Sequence, residues 1–267
     1  MKSFFKNTVD IQLTAASIGI NSDDWYCHKP GMTIQEVETT MLERGYDIVP
    51  VVNKRGEVKS YLNEKLYNSQ IENEDKLYYL THVNDAIWQM NKEKRTHYFL
   101  SNGKDKNDIV GLLSLSNFNG REFYIFLFNI IAYVEQGLAS LIKSDAEKGF
   151  KILNDNAMGN EELEAQLKLV KERYEEDKKV DNENDFKEYL YLNHLTRLIC
   201  AEEKYKVLGY KREEDFLKHT GIIREIRNTV AHPVKSLVKN FTDLKRLHSG
   251  LFKLYELRSK MENIPIR

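Results

Sequence analysis

Asp47-Ile-Val-Pro-Val-Val-Asn-Lys-Arg-Gly-Glu-Val-Lys-Ser-Tyr-Leu62 is the stretch that decides the fold of the first half of the chain. Asp47 to Val52 is a β-branched run, the pattern of a buried strand. Asn53 to Gly56 reads as a turn, because Asn and Gly tolerate positive φ. Glu57 to Leu62 reads as the returning strand of a hairpin. Upstream, Thr33-Ile-Gln-Glu36 has the spacing of a capping box and predicts a helix that runs to about Glu43 and is stopped by Gly45.

The same order recurs about 50 residues later, the signature of an internal duplication. Asn84 to Lys92 predicts a helix carrying Ile87, Trp88 and Met90. His97 to Leu100 reads as a strand, Ser101 to Asn107 as a polar turn and Asp108 to Leu113 as a second strand.

After Gly120 the period changes. Phe123, Leu127, Ile130, Val134, Leu138 and Leu141 step by three or four, which marks one stripe of a helix. Leu163 to Tyr174, Tyr189 to Ile199 and Leu244 to Leu254 repeat that pattern, and Glu213 to Arg227 is a further helical stretch. Pro233 is the one proline between Gly120 and Ile264. The expectation is an α+β chain of two domains: residues 1–120 as a doubled α/β module and residues 121–267 as an all-α bundle of four or five helices, with a polar loop around Asp177 to Asn184.

Composition narrows the function classes. Net charge is −1, so no uniformly charged partner is implied. The distribution is uneven. Leu217 to Arg267 holds 11 Lys and Arg against 4 Asp and Glu, whereas Glu161 to Asp185 holds 10 acidic against 5 basic residues. Solvated helix faces explain both; a basic end that meets a polyanion is the sharper alternative. The two cysteines, Cys27 and Cys200, lie far apart without metal-ligand spacing. That fits a reducing compartment, no disulfide framework and no metal site. The N-terminus shows no signal-peptide core, and the apolar run Phe123 to Val134 is shorter than the ~20 residues of a bilayer span. A cytoplasmic protein with no membrane partner is expected.

The doubled unit resembles a tandem CBS (Bateman) module. The residues that carry the resemblance are Ile48-Val-Pro-Val-Val-Asn-Lys-Arg-Gly56 and Asp108-Ile-Val-Gly-Leu-Leu-Ser-Leu-Ser-Asn117. It implies a site for a regulatory adenine nucleotide such as AMP or ATP, with Ser114 at the hydroxyl position and Asn117 at the acid position that hold ribose and phosphate. Asn in place of an acid can still bond ribose hydroxyls but adds no charge. In the first repeat the corresponding positions are Asn63 and Leu66, a degenerate site. The alternative is that Ser114 caps the next segment and Asn117 turns the chain.

The second half resembles a HEPN domain, on the segment Arg224-Glu-Ile-Arg-Asn-Thr-Val-Ala-His-Pro233. Arg227, Asn228 and His232 match the family's Arg-x4-His pattern, and helices surround it. Without the family the chemistry is coherent. A proline after His232 disfavours helix there and leaves the imidazole on a turn. An imidazole can take a proton from a 2′-hydroxyl or give one to a leaving oxygen. A guanidinium can stabilise charge that develops at phosphorus. Asn228 can orient either group. The resemblance implies a metal-independent endoribonuclease that needs no catalytic cofactor, completes its site across a homodimer, leaves a 2′,3′-cyclic phosphate and, if toxin-like, is silenced by an antitoxin-like partner. Glu135, an acid inside an apolar helix, is the candidate supporting residue for Arg227. A noncatalytic adaptor, in which a nucleotide-sensing module is joined to a bundle that only dimerises or binds a partner or RNA, is the open alternative. In that reading Arg227 merely ties helices together.

His194 and His219 read as packed or surface histidines, His248 as exposed, and Cys27-His28 as unrelated to zinc. Lys245-Arg246 reads as a solvated pair that could touch RNA. Tyr78, Tyr79, Tyr98 and Tyr124 read as core residues, with stacking on a nucleotide as the alternative.

Overall fold

The Thr33 side chain accepts a hydrogen bond from the Glu36 amide at 3.2 Å, and the Glu36 carboxylate accepts from the Thr33 amide at 2.7 Å, so a reciprocal cap sets the start of the first long helix. Gly45, at φ 66°, ends it. The computed structural model describes residues 13–103, 109–180, 184–232 and 234–264. Asp108, Pro233, most of the turn between Ser101 and Asn107 and part of the loop between Asp177 and Asn184 therefore lie outside the described residues.

The order of elements is α1 (Ala15–Ile18), β1 (Ile20–Asn21), α2 (Ile34–Arg44), β2 (Ile48–Val52), β3 (Val58–Asn63), β4 (Asn68–Gln70), β5 (Lys76–Tyr78), α3 (Val83–Glu93), β6 (His97–Ser101) and β7 (Ile109–Ser114). Six helices follow: α4 (Arg121–Leu141), α5 (Ala146–Ala157), α6 (Glu161–Lys179), α7 (Leu192–Ala201), α8 (Glu213–Val230) and α9 (Phe241–Glu262). The chain is a mixed α+β protein in which every described strand precedes residue 115.

The described residues form two compact units, one within 13–126 together with Ser236–His248, the other within 127–235 together with 249–264. The division falls within α4 and within α9.

In the first unit the duplication extends to register. β2 pairs antiparallel with β3 from Ile48↔Asn63 to Val52↔Val58, with an irregularity between Val51 and Val52. β6 pairs antiparallel with β7 from His97↔Ser114 to Ser101↔Ile109, with an irregularity between Leu100 and Ser101. Both hairpins are thus bulged at the same place. Each also receives a parallel partner on the strand that follows its helix: His28 bridges Val51 in the first, and β5 pairs with β6 in the second. A two-residue or polar strand completes each sheet, β1 beside β7 and β4 beside β3. Val37, Met41, Val49 and Leu62 pack in the first repeat, whereas Phe99 and Leu112 of the second pack with Ile71 and against Ile48, Val58 and Tyr61 of the first. Asn119 ties the returning segment to this unit: its Oδ1 accepts from the Leu237 and Val238 amides at 2.7 and 2.9 Å, and its Nδ2 donates to the Val238 carbonyl at 2.7 Å.

In the helical unit the apolar stripes meet. Leu127, Ile131, Val134 and Leu138 of α4, Leu195 and Ile199 of α7, Ile223 and Ile226 of α8 and Leu251 and Leu254 of α9 are all buried. Small residues allow close approach: a Cβ on Gly250 would collide with Ile226, and one on Gly149 would come within 2.6 Å of the Phe186 ring. Six helices occupy the described residues where four or five were expected. The extra one is α5, whose short stripe of Phe150, Leu153 and Ala157 is obscured in sequence by Gly149 and a run of Asn and Asp. Tyr189 belongs to a 3₁₀ turn, Phe186–Tyr189, rather than to α7. α4 is long and apolar enough to cross a membrane by length and composition, and much of it is buried here.

Candidate functional site

α8 is built to present Arg227 at its C-terminal end. Its first turn carries Glu213, Glu214 and Asp215 and its last turn Arg227, the arrangement that complements the helix dipole at both ends. The helix closes at Ala231, whose amide donates to the Arg227 carbonyl at 2.9 Å. His232 follows in a bend, its amide donating to the Thr229 carbonyl at 3.1 Å. The imidazole is exposed, as is the Asn228 side chain.

Arg227 is held from two sides. Its Nε donates to Glu135 Oε1 of α4 at 3.3 Å, and its guanidinium lies over the Tyr191 ring with 5.1 Å to the centroid. Arg227 is 25% and Glu135 23% exposed. Desolvation pushes the Glu135 carboxyl above the ordinary carboxylate range, opposed by the Arg227 charge and by hydrogen bonds from Arg227 and from the Leu192 backbone. The Glu135 pairing follows from the sequence reading; Tyr191 was missed. Its position, immediately before the α7 stripe, gives no sign that the ring turns onto α8. Among the described residues no hydrogen bond joins the side chains of Arg227, Asn228 and His232. They share one helix end, where Asn228 and His232 are exposed and Arg227 is half-buried.

In the first unit Ser114 and Asn63 occupy equivalent strand ends, opposite His97 and Ile48 respectively. Asn117 Oδ1 accepts from the Ser114 amide at 2.6 Å and from the Ser114 hydroxyl at 2.9 Å, and Ser114 Oγ also meets Ser116 Oγ at 2.7 Å. The pair thus closes its own 3₁₀ turn, Leu115–Asn119, and the Asn117 amide nitrogen is left for other partners. Asn63 Oδ1 does the same for its turn, accepting from the Lys65 and Tyr67 amides at 3.0 and 3.1 Å. Leu66, at φ 58°, packs against the apolar centre of the first repeat, so nothing polar stands where Asn117 stands in the second.

The residues set aside in sequence fall as follows. His219 is buried, with its Nε2 2.8 Å from the Lys253 carbonyl oxygen. His194 is buried and its imidazole pushed down to about 4, chiefly by desolvation. His248 is half-buried rather than exposed, between the buried Leu247 and the half-buried Ser249 of α9. His28 Nε2 lies 3.0 Å from the Met32 carbonyl oxygen. Arg246 pairs with Asp243 at 3.0 Å, and Lys245 is exposed. Tyr98 and Tyr124 are buried, and Tyr78 is 47% exposed. The Tyr98 hydroxyl donates to Glu93 Oε2 at 2.5 Å and is pushed up by burial.

No protein-family model matches the chain, and no curated protein matches it. Solved structures do. CBSX2 in complex with AMP is similar at 12% identity over 39% of this chain and 91% of that one, with a TM-score of 0.33. An acetoin utilization protein (AcuB) from Vibrio cholerae is similar at 10% identity over 45% of this chain and 96% of that one, with a TM-score of 0.36. A CBS domain-containing protein from Bacillus anthracis is similar at 12% identity over 44% of this chain and 94% of that one, with a TM-score of 0.33.

Proposed function

We propose that this protein is a ligand-regulated, metal-independent endoribonuclease, cytoplasmic and homodimeric, with residues 1–120 as a CBS-type sensor and residues 121–267 as a HEPN-type nuclease. The observation that carries the reading is the end of α8. Arg227 is oriented by Glu135 and Tyr191, and the next two polar side chains of the motif, Asn228 and His232, face solvent.

The chemistry is transesterification. His232 takes the proton of a ribose 2′-hydroxyl, the 2′-oxygen attacks the adjoining phosphorus, and the bond to the 5′-oxygen breaks. The protonated imidazole of a second copy's histidine supplies the proton to that leaving oxygen. Arg227 stabilises the charge that builds on the phosphoryl oxygens, and Glu135 keeps its fork fixed while that happens. Asn228 bonds a phosphoryl oxygen. The products are a 2′,3′-cyclic phosphate and a 5′-hydroxyl. A nucleotide at Ser114 and Asn117 would regulate the reaction by favouring one arrangement of the paired sites, which requires a difference in its affinity for the two arrangements. An antitoxin-like partner would act on the same end of α8.

The test is RNA cleavage in EDTA by wild type and His232→Ala, with the product ends mapped. Wild type should leave cyclic phosphate ends and the variant should not cut. Equal cutting by both sinks the assignment. A second reading has its own support: an arginine tied to a carboxylate and a ring is also what a purely structural helix tie looks like. That reading makes the protein a noncatalytic sensor or adaptor. It predicts a melting shift with AMP or ATP and no cleavage under any ligand.

A further inference from the structure

A cavity of about 420 Å³ opens between α5, α7 and α8, within the range of small-molecule sites. Nothing in the Arg227 and His232 chemistry uses it. Two guanidiniums line it, Arg197 from α7 and Arg224 from α8. Neutral acceptors hold both: Arg197 Nη1 donates to the Asn156 carbonyl at 3.1 Å, and Arg224 Nη1 donates to Asn193 Oδ1 at 3.2 Å. Among the described residues neither has a carboxylate within ion-pair distance. Arg197 Nε is buried without an acceptor. The one lining carboxylate is Glu213; burial first, and then the charge of Glu213, push the Cys200 thiol up. Two oriented, uncompensated guanidiniums in a concave site make a receptor for phosphate oxygens.

Gly221 supplies a second observation. It lies inside α8 and lines the cavity, and a Cβ there would meet nothing within 4 Å. Neither packing nor a positive φ demands glycine at this position. A glycine in a helix interior costs about 1 kcal/mol relative to alanine. What its missing side chain provides is room.

The position of the cavity then matters. Leu217, Gly221, Arg224 and Asn228 follow one another at spacings of four, three and four, so they form one stripe of α8. The cavity wall ends at Arg224, and the same face of α8 runs on to Asn228, about 6 Å farther along the axis. Arg227 stands beside it. We infer that this cavity is a nucleotide subsite for single-stranded RNA, seating one nucleotide with its phosphate at Arg197 and Arg224 and delivering the next phosphate to Arg227. The inference rests on the ribonuclease reading for its direction, but it is tested by binding alone.

The experiment uses the full chain and a fluorescent 2′-O-methyl tetranucleotide, which lacks the attacking hydroxyl and stays intact. Fluorescence anisotropy gives Kd for wild type, Arg197→Gln, Arg224→Gln and His232→Ala across a salt series. Thermal melts of each variant check folding; Arg224 is exposed, so its replacement tests the site without disturbing a core. Each arginine variant should weaken binding about tenfold. Each should also lower the salt dependence by about 0.7 in logarithmic slope, one phosphate contact on a single strand. His232→Ala should bind as wild type. A wild-type chain that does not bind the strand, or arginine variants that bind within twofold of wild type with an unchanged slope, overturns the inference. If His232→Ala still cuts RNA while the arginine variants bind weakly, the ribonuclease assignment fails and the subsite stands.

Discussion

Arg227 Nε donates to Glu135 Oε1 at 3.3 Å across 92 residues of sequence, joining the end of α8 to the middle of α4. Both groups are mostly removed from water, so each depends on the other. Arg227→Ala leaves a largely buried carboxylate without its cation. The protein should lose about 2 kcal/mol, less than for a fully buried pair because each group keeps some exposure. Urea denaturation followed by circular dichroism checks this. Arg227→Lys keeps charge but not the flat fork over Tyr191, and cleavage should fall about 100-fold with little loss of stability. Full activity in the lysine variant would show that charge alone suffices.

Glu135 also predicts a pH effect with a definite sign. Its carboxyl is raised above the ordinary value, so the folded state favours the protonated form. The stability it contributes is complete below the unfolded-state pKa and is lost as pH rises through the raised folded value. Glu135→Gln mimics the protonated form at every pH. The melting temperature of the variant minus that of wild type should therefore become more positive from pH 4 to pH 7. A difference that moves the other way would mean that Arg227 outweighs desolvation.

Gly221→Ala should stabilise the helical unit by about 0.5–1 kcal/mol, because helix propensity improves and the new methyl meets nothing. The midpoint of urea unfolding reads this directly. A destabilised variant would mean that the space is filled in solution.

Asn119 makes three hydrogen bonds to Leu237 and Val238, and its loss leaves backbone groups of that segment unpaired. Asn119→Ala should cost about 1–3 kcal/mol, and hydrogen exchange should rise at the Leu237 and Val238 amides before it rises elsewhere.

Asn117→Asp keeps the one oxygen that accepts both hydrogen bonds from Ser114, so the turn should survive. If Ser114 and Asn117 hold a ribose, the added charge should raise the AMP-induced melting shift. Asn117→Leu, which copies the first repeat at Leu66, should abolish the shift and cost about 1 kcal/mol as the cap is lost. An AMP shift that is identical in all three proteins places nucleotide binding elsewhere.

Much of this was legible from local pattern. The Thr33 and Glu36 cap, the β2–β3 hairpin around Gly56 and the helix–strand–turn–strand repeat all rest on contacts between near neighbours in sequence. The strands β1, β4 and β5 were not legible, because two or three residues such as Asn68-Ser-Gln70 carry no period and owe their shape to the strand beside them. The α5 stripe was hidden by Gly149, which packs under Phe186, a residue distant in sequence. The same distinction divides the candidate site. Arg227, Asn228 and His232 are visible as a motif, and Glu135 as an acid out of place in an apolar helix. Tyr191, Arg197 and Arg224 were invisible, since each became notable only when α7 and α8 packed together.

By itself the sequence determined the alternation of period-two and helical segments, the duplication, and the end of α8 near His232, because capping, turn chemistry and hydrophobic spacing act within a few residues. Only the tertiary structure decided that Arg227 is clasped by Glu135 and Tyr191, that Asn117 spends one oxygen on Ser114, and that Arg197 and Arg224 line one cavity, each held by a neutral acceptor. Desolvation and ion pairing depend on which distant side chains are brought within a few ångströms, and that is a property of packed helices rather than of any one segment.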